Sequence, residues 1–293
     1  MVDYNGTKQT SPDGRSRTVR GRPFVKWAGG KRQLIDILLK NVPPQYNTYI
    51  EPLVGAGALL FALAPTRAII SDINPEIINA YLVIRDNVHA VASSLTRHKN
   101  TEEYFYKARS KNPNQLSPVQ RASRFIYLNR TCFNGLYREN SRGEFNVPFG
   151  DYETPKILDK GNLLAVSDYL GSNHISILCQ DYKKTALLAK PGDFVYCDPP
   201  YYPLNTTSSF TKYSKGDFTE QDQGELSQVF RDLDRKGCYV MLSNSNTPYI
   251  RGLYKGYDIE EIEAYRALNC KAERRGKGLY EILVRNYGRG TKG

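Results

Sequence analysis

A carboxylate and aromatic rings flank a proline pair in the segment FVYCDPPYYP, residues 194–203. After an apolar, strand-like beginning, the chain continues through Asp198, Pro199, Pro200 and Tyr201. Consecutive prolines hold the backbone extended and lack N–H donors, so nearby carbonyl oxygens have no local donor competing for them. The carboxylate of Asp198 and the flat ring of Tyr201 together suit a planar group that carries an NH2.

An exocyclic amine on a purine is a poor nucleophile because its lone pair is conjugated with the ring. The Asp198 carboxylate and the Pro199 carbonyl would accept hydrogen bonds from the two amine hydrogens. These hydrogen bonds would localise the lone pair on nitrogen for attack on carbon. The pattern therefore predicts substitution at an amino nitrogen. A strand that merely ends in a proline turn would explain Pro199 and Pro200, but not the acid and the tyrosine beside them.

A glycine-rich turn and an acid after the next strand indicate a nucleoside-bearing cofactor. In EPLVGAGALL, Gly55 and Gly57 let the backbone pass close to a ligand, and the helix that follows offers free N–H groups. The dinucleotide pattern is incomplete because position 60 is Leu. Asp72 ends the segment IISD, where a carboxylate can accept hydrogen bonds from ribose. Its alternative role is to cap the helix that begins at DINP.

A second glycine-rich turn occurs in FVKWAGGKRQL, where Gly29 and Gly30 precede Lys31. Open backbone amides at a helix start, together with a lysine, can hold a carboxylate or a phosphate. The spacing of a P-loop is absent, which favours a carboxylate-bearing cofactor over ATP. An ordinary glycine-rich helix entry is the alternative.

Strands and helices alternate along most of the chain, which predicts an α/β fold with a Rossmann-like, mostly parallel sheet and helices on both faces. Ligands of such sheets bind at the carboxyl ends of the strands. Acids follow four of the predicted strands, namely Glu51, Asp72, Asp181 and Asp198. We expect these carboxylates to lie at one edge of the sheet and to mark the site.

The composition favours a polyanionic partner. Lys and Arg number 41 against 30 acids, a formal net charge of +11, and 22 tyrosines provide faces for stacking on bases. A basic surface without such a partner is the alternative that charge alone leaves open. No run reaches the roughly 20 apolar residues of a membrane span. Five scattered cysteines, and three histidines in ordinary solvated or capping contexts, predict a cytoplasmic protein with reduced thiols and no metal site.

Changes in composition along the chain predict its domain organisation. Residues 1–21 are polar and aperiodic, which predicts a disordered tail. Residues 22–86 and 162–288 would form the catalytic domain, and residues 87–161 would form an inserted helical target-recognition domain bearing a hairpin. This insert contains an arginine-rich run that we expect to form the surface contacting the polyanion: Arg121, Arg124, Arg130, Arg138 and Arg142.

Five segments occur in a fixed order along the chain: FVKWAGGK, EPLVGAG, SDIN, FNGLYRENSRGEFNVPFG and CDPPYYPLNTTSSFTKY. Together they resemble the Dam-type DNA adenine N6-methyltransferases, the D12 class and alpha group of amino-methyltransferases that use S-adenosylmethionine. The resemblance extends from Phe24 to Tyr287. It implies an enzyme that transfers a methyl group from S-adenosylmethionine to a flipped adenine in double-stranded DNA, in the sequence GATC.

The resemblance also implies the site residues. Those that grip the flipped adenine would be Asp198, Pro199, Pro200 and Tyr201. Those that bind S-adenosylmethionine would be Trp27, Ala28, Gly29, Lys31, Glu51, Pro52, Gly55, Gly57, Asp72, Ile73, Asp181, Tyr182 and Asp198. Those that contact DNA would be Lys26, Phe133, Asn134, Leu136, Arg138, Pro148 and Tyr152. Among these, Arg138 would contact a guanine and Phe133 would fill the space that the extruded adenine leaves.

Several alternatives remain. Methylation of cytosine N4, or of adenine in another sequence, would use the same chemistry with a different hairpin. An arginine-rich hairpin suited to a major groove disfavours RNA as the substrate. A non-catalytic DNA-binding protein with a vestigial cofactor site is disfavoured by the intact Gly55, Gly57, Asp72 and Asp198. One active site per chain predicts a monomer without an obligatory protein partner. The biological role is left open among restriction–modification, phage protection and chromosomal regulation.

Overall fold

The computed structural model describes residues 21–27, 31, 34–203, 218–264 and 279–288. The predicted tail, apart from its last residue, lies outside these ranges. The described chain forms one sheet in the order β3-β2-β1-β4-β5-β7-β6. Its strands are β1 (Tyr49–Glu51), β2 (Arg67–Asp72), β3 (His174–Cys179), β4 (Phe194–Cys197), β5 (Tyr239–Ser245), β6 (Asp258–Ala264) and β7 (Leu279–Arg285).

Helices follow most of the strands. They are α1 (Ile35–Lys40), α2 (Ala58–Leu63), α3 (Pro75–Leu95), α4 (Glu102–Arg109), α5 (Pro118–Thr131), α6 (Lys160–Ser172), α7 (Tyr182–Leu187), α8 (Glu220–Arg235) and α9 (Pro248–Leu253). Within the described ranges, none of them combines the length and the apolar character that crossing a membrane requires.

The sheet is mostly parallel, as predicted. Strand β1 pairs in parallel with β2 and β4, and the parallel pairing continues to β3 on one side and β5 on the other. Strand β7 runs antiparallel between β5 and β6. Because β2, β1 and β4 are neighbours, the residues that follow these strands meet at one edge of the sheet.

Both faces of the sheet are covered, which explains why the central strands are apolar on both sides. In β4, Phe194 and Tyr196 pack into a core formed with α1, α2, α3, α5 and α6. Val195 and Cys197 point the other way, into a core formed with α7, α8 and α9. All four side chains are at most 2% exposed. The period-two alternation of a strand thus divides these residues between two cores.

Side-chain caps fix where the helices begin. The Asn74 side chain accepts from the backbone N–H of Glu76 at 2.9 Å, and Pro75 occupies the first helical position of α3. Thr219 caps α8 in a reciprocal arrangement with Asp222. The Asn74 cap redirects the chain from β2 into α3.

Residues 87–161 contain the predicted hairpin. Helix α3 continues across Asn87, where the backbone is kinked (φ −143°, ψ 43°), and α5 packs against α3. After α5, antiparallel bridges join Cys132 to Phe149 and Glu139 to Phe145. We call residues 132–150 the recognition hairpin. The helices of residues 87–161 share one core with the sheet. The limits of a separate recognition domain stay a prediction.

Three of the five arginines in the arginine-rich run make contacts inside the protein. The guanidinium of Arg124 is buried and donates to two backbone carbonyls at the end of α4. The Arg121 guanidinium pairs with a carboxylate of α3, and the Arg130 guanidinium donates to the backbone carbonyl of residue 24. Of the five arginines, the exposed ones are Arg138 and Arg142, and both lie on the recognition hairpin. Guanidinium groups here satisfy internal acceptors, a role that composition does not distinguish from DNA binding.

His98 departs from the solvated or capping role expected for the histidines. Its ring stacks on Tyr127 with centroids 4.3 Å apart and an interplanar angle of 6°. Its Nε2 lies 2.9 Å from the Ser123 hydroxyl, and its Nδ1 lies 3.2 Å from the Tyr104 hydroxyl. Burial, and secondarily the charge of Lys111, lowers the pKa of His98 to about 4. The ring is therefore neutral at neutral pH.

Stability should fall as the pH drops from about 6.5 to about 4, because the unfolded state binds a proton at His98 in this window and the folded state does not. His98→Gln should flatten this part of the profile. Urea unfolding at several pH values measures the effect. His89→Gln, at an exposed position of α3, controls for loss of a histidine in general. Parallel profiles for wild type and His98→Gln would contradict the assignment.

Candidate active site

The carboxyl edge of the sheet brings together the acids predicted for the site. Asp72, Glu51 and Asp198 follow or end three adjacent strands, β2, β1 and β4. Asp181 follows β3, which lies next to β2. Strand order, rather than sequence proximity, therefore gathers these four carboxylates on one side of the sheet.

The turn between β1 and α2 has a backbone that requires glycine. Gly55 and Gly57 have φ of +46° and +67°, in the left-handed region that favours glycine. A Cβ at Gly55 would lie 2.6 Å from the indole of Trp27, and one at Gly57 would lie 2.6 Å from the Tyr81 hydroxyl. The Trp27 ring therefore packs directly on the turn. Its other neighbour is the ring of Tyr137 in the recognition hairpin, stacked at a centroid distance of 5.6 Å.

Asp72 holds this turn against the start of α3. Its two carboxylate oxygens accept from the backbone N–H groups of Gly55 at 3.0 Å and Asn74 at 2.9 Å. Burial raises the pKa of Asp72, and these backbone hydrogen bonds oppose the shift. Asn74, not Asp72, supplies the side-chain cap of α3. A carboxylate can accept further hydrogen bonds, so Asp72 keeps capacity for a ligand hydroxyl. Beside it, Ile73 is 68% exposed.

Glu51 and Pro52 lie beneath the turn. Glu51 is buried and accepts from the Tyr49 hydroxyl at 2.8 Å. Burial raises the pKa of Glu51 well above its ordinary value, against the effect of that hydrogen bond, and the charges of Asp198 and Asp72 add to the rise. The Pro52 carbonyl accepts from a serine hydroxyl at the end of β2. Both residues thus support the backbone of the turn from inside.

Asp181 and Tyr182 begin α7. The Asp181 carboxylate caps this helix by accepting from the N–H of Lys183 at 2.8 Å. The Tyr182 ring is buried in the core on the α8 side, and its hydroxyl has no hydrogen-bond partner among the described residues. Only Asp181 of the two is placed at the surface of the sheet edge. Ala28 and Gly29, also predicted for the cofactor site, lie outside the described residues.

Four polar side chains form a connected network after β4. Lys31 is 3% exposed, and its Nζ lies 3.0 Å from Asp198 Oδ1 and 3.6 Å from Glu281 Oε2. The same ammonium donates to the Tyr201 hydroxyl at 2.5 Å, and that hydroxyl donates to Glu281 Oε2 at 2.7 Å. Burial, followed by the charges of Asp198 and Glu281, raises the pKa of Tyr201 well above its ordinary value. The network unites a residue predicted for the cofactor with two predicted for the adenine.

Two buried amides hold the proline segment in place. Gln223 Nε2 donates to the Pro200 carbonyl at 2.9 Å, and Asn244 Oδ1 accepts from the Tyr202 N–H at 3.3 Å. The two amides are joined by a bond of 2.9 Å from Asn244 Nδ2 to Gln223 Oε1. The expectation concerned local donors; the donor at Pro200 is Gln223, which lies 23 residues further along the chain. Gln223 lies within α8, and the amphipathic pattern of this helix does not predict a contact with Pro200.

Glu281 is the acid that reasoning from sequence missed. Unlike the acids that follow strands, Glu281 is the third residue of β7. Because β7 is antiparallel, its beginning lies where the neighbouring strands end, with Glu281 opposite Ser245. An acid among Ile282, Leu283 and Val284 was the available signal, since a carboxylate in an apolar strand requires a partner.

Residues predicted to contact DNA lie on the recognition hairpin and near Lys26. Phe133 is 48% exposed, and its N–H donates to the carbonyl of Pro148 at 2.9 Å. Arg138 is exposed, and its Nε donates to Asn146 Oδ1 at 2.7 Å, which orients the guanidinium. Leu136 is only partly exposed and packs on the core. The hairpin thus presents an aromatic ring and a guanidinium.

Asn129 joins this hairpin to the N-terminal segment. Its buried amide pairs with the backbone N–H and carbonyl of Lys26 at 2.7 and 2.8 Å and donates to the Gly135 carbonyl at 3.0 Å. The Lys26 ammonium lies 4.6 Å from the centre of the Tyr152 ring. Asn134 adopts a positive φ of 55° in the same turn. These contacts gather the remaining predicted DNA-binding residues on one surface.

The sequence model of one protein family, the D12 class N6 adenine-specific DNA methyltransferases, matches residues 27–268. The chain belongs to this family. It is 46% identical to the type II methyltransferase M1.LlaDCHI of Lactococcus lactis subsp. cremoris, over 91% of this chain and 96% of the relative. It is 42% identical to the type II methyltransferase M.MjaIII of Methanocaldococcus jannaschii (91% and 99%) and 35% identical to a DNA adenine methylase of Haemophilus influenzae (88% and 92%).

Membership in the D12 class defines the reaction. The protein is an adenine-specific DNA methyltransferase, its substrate is DNA and its methyl donor is S-adenosylmethionine. These results confirm the predicted family, enzyme class and cofactor.

Replacing Gly55 by alanine should disrupt the turn, because a Cβ there meets the Trp27 indole and φ is positive. Strain of this kind costs about 1–3 kcal/mol, so we expect affinity for S-adenosylhomocysteine to fall about tenfold or more. Isothermal titration calorimetry measures the loss. Gly171→Ala is the matched control, since no atom lies within 4 Å of a Cβ at that position. Equal affinities for the two variants would show that the turn does not form the cofactor site.

Proposed function

We propose that this methyltransferase modifies adenine N6 in the duplex sequence GATC, with the extruded adenine bound at Asp198, Pro199, Pro200 and Tyr201. One observation carries the proposal: the Asp198 carboxylate and the Tyr201 hydroxyl both contact the Lys31 ammonium, at the sheet edge that also carries the glycine turn. An acceptor and a flat ring are the groups that an aminopurine requires. The segment after β4 therefore supports recognition of a base with an exocyclic amine.

Asp198 would accept a hydrogen from N6 and localise the lone pair of that nitrogen. The Pro199 carbonyl would accept the second hydrogen, while the Tyr201 ring stacks on the base. Catalysis would then come from positioning and from fixed dipoles rather than from a general base with a shifted pKa. Within the described residues, no cluster of His, Cys, Asp and Glu is suited to a metal ion, so this proposal assigns no role to one.

The residues around the glycine turn fit S-adenosylmethionine. The left-handed turn at Gly55 and Gly57, a carboxylate with remaining acceptor capacity at Asp72 and an exposed apolar side chain at Ile73 suit a nucleoside. Trp27 packs on the same turn. When bound, S-adenosylmethionine supplies an activated methyl group. Within this proposal, Glu51 and Pro52 support the turn. Asp181 and the backbone of Tyr182 border the purine. Lys31, with Ala28 and Gly29 of the same segment, completes the site.

The recognition hairpin would read the DNA. We assign the guanine contact to Arg138, whose orientation by Asn146 prepares it for a bidentate contact in the major groove. Phe133 would fill the gap left by the extruded adenine. The remaining contacts would come from Lys26, Asn134, Leu136, Pro148 and Tyr152. One chain supplies all of these groups, which supports a monomer, and the free cysteines among the described residues and a DNA substrate support a cytoplasmic location.

The biological setting that we favour is restriction–modification, because two of the relatives named above are type II methyltransferases. Incubating plasmid DNA with the enzyme and S-adenosylmethionine that carries a tritiated methyl group, then digesting it with nucleases that differ in sensitivity to methylation at GATC, tests the target sequence. Protection at every GATC and at no other tetramer supports it. Label transferred to adenine in a different tetramer would overturn the GATC assignment, and label on cytosine would overturn the chemistry.

Replacing Asp198 by asparagine should lower kcat about 100–1,000-fold, because the acceptor loses its charge and presents an NH2 toward the base. Binding of duplex DNA, which depends on phosphate contacts elsewhere, should change less than twofold. Single-turnover methylation and fluorescence anisotropy measure the two effects. Asp168→Asn, at an exposed position of α6, is the control. Near-normal turnover by Asp198→Asn would contradict this role.

Replacing Arg138 by alanine should relax discrimination at one base pair of the target, by about 1–3 kcal/mol. Arg142→Ala, in the tip of the same hairpin, should instead weaken binding to all sequences similarly and reduce its salt dependence. Methylation rates on duplexes with single substitutions in GATC distinguish the two outcomes. Unchanged relative rates for Arg138→Ala would exclude it as the reader of guanine.

A further inference from the structure

We propose that Glu281 is a positioning residue for methyl transfer, which holds the Lys31 ammonium and the Tyr201 hydroxyl in place beside Asp198. This inference rests on the proposed role of Asp198 and Tyr201 in binding the adenine. Glu281 lies on the last strand of the described chain, far in sequence from the five segments that carry the resemblance to the family. Its contacts, rather than any motif, bring it into the site.

The location of Glu281 indicates a function because a carboxylate there is costly. Glu281 is 7% exposed, and the three residues that follow it on β7 are fully buried and apolar. A carboxylate in such surroundings is stable only when paired and hydrogen-bonded. Its partners include the Lys31 ammonium at 3.6 Å and the Tyr201 hydroxyl at 2.7 Å. Both belong to the candidate active site.

The first consequence concerns Lys31. Its ammonium lies between two carboxylates, 3.0 Å from Asp198 Oδ1 and 3.6 Å from Glu281 Oε2. The two attractions oppose each other, so the position of the ammonium depends on both charges. Removing the charge of Glu281 would draw Lys31 onto Asp198 alone. That pairing would occupy the carboxylate that has to accept a hydrogen from the target amine.

The second consequence concerns Tyr201. Its hydroxyl donates to Glu281 and accepts from Lys31, so two charge-assisted hydrogen bonds fix one end of the ring. The orientation of this ring determines how a base can stack on it. Glu281 therefore acts on the base through Tyr201 as well as through Lys31. Pairing of β7 with β5 and β6 on both sides of Glu281 makes its backbone rigid, as positioning requires.

Two variants separate these consequences. Glu281→Gln keeps the side-chain size and an oxygen that can accept from Tyr201, but it removes the charge that attracts Lys31. Glu281→Ala removes both. We expect kcat to fall about 100-fold in Glu281→Gln and further in Glu281→Ala, since displacement of reacting groups by about 1 Å costs this much. The dissociation constant for duplex DNA should stay within twofold of wild type.

A cycle with Tyr201→Phe identifies the route of action. In the Tyr201→Phe background the hydroxyl is absent, so the difference in kcat between Glu281→Gln and Glu281→Ala should disappear. A purely structural role for Glu281 would leave that difference unchanged. Glu263→Gln, at an exposed acid of the neighbouring strand β6, is the matched control and should retain wild-type kcat.

The measurements are single-turnover transfer of a tritiated methyl group from S-adenosylmethionine to a GATC duplex, DNA anisotropy and calorimetry with S-adenosylhomocysteine, on full-length protein checked by thermal melting. A kcat for Glu281→Gln within twofold of wild type would overturn the inference, and so would a Gln–Ala difference that persists with Tyr201→Phe. Absence of methyl transfer to adenine by the wild-type enzyme would instead overturn the proposed function. The two failures are therefore distinguishable.

Discussion

The Lys31 ammonium, held between the carboxylates of Asp198 and Glu281, is the interaction on which the arrangement of the site depends. Two buried or partly buried acids near one another repel, and a cation between them makes their proximity tolerable. Removing one member of such a group leaves an uncompensated charge, at a cost of about 3–5 kcal/mol. The cation comes from the segment FVKWAGGKRQL, and the acids come from β7 and from the end of β4. One charge thus ties three distant parts of the chain together.

The strand order supplies the remaining constraint. Placing β1 between β2 and β4 sets the glycine turn, the Asp72 carboxylate and the proline segment side by side. Each is then fixed locally: the turn by Asp72, and the proline segment by Gln223 and Asn244. A rigid backbone surrounds the place where a cofactor and a base would meet. This preorganisation is what catalysis by positioning requires.

Much of this arrangement is predictable from sequence because local rules determine it. Alternating strands and helices, the Asn74 cap and the left-handed glycines at 55 and 57 follow from residue types and spacing. Other features depend on tertiary context. Glu281 enters the site through an antiparallel strand, and Arg124 meets carbonyls that no sequence pattern places beside it. The neutral, stacked ring of His98 likewise depends on aromatic neighbours contributed by two separate helices.

The indole of Trp27 has the Gly55 turn on one side and the Tyr137 ring of the recognition hairpin on the other. A single side chain therefore contacts both the turn that we propose for the cofactor and the hairpin that we propose for the target sequence. If these proposals hold, exchanging hairpins among relatives to obtain new target sequences also changes the packing of the cofactor turn. A grafted hairpin has to present a flat partner at position 137, or the tryptophan loses the packing that keeps it against the turn.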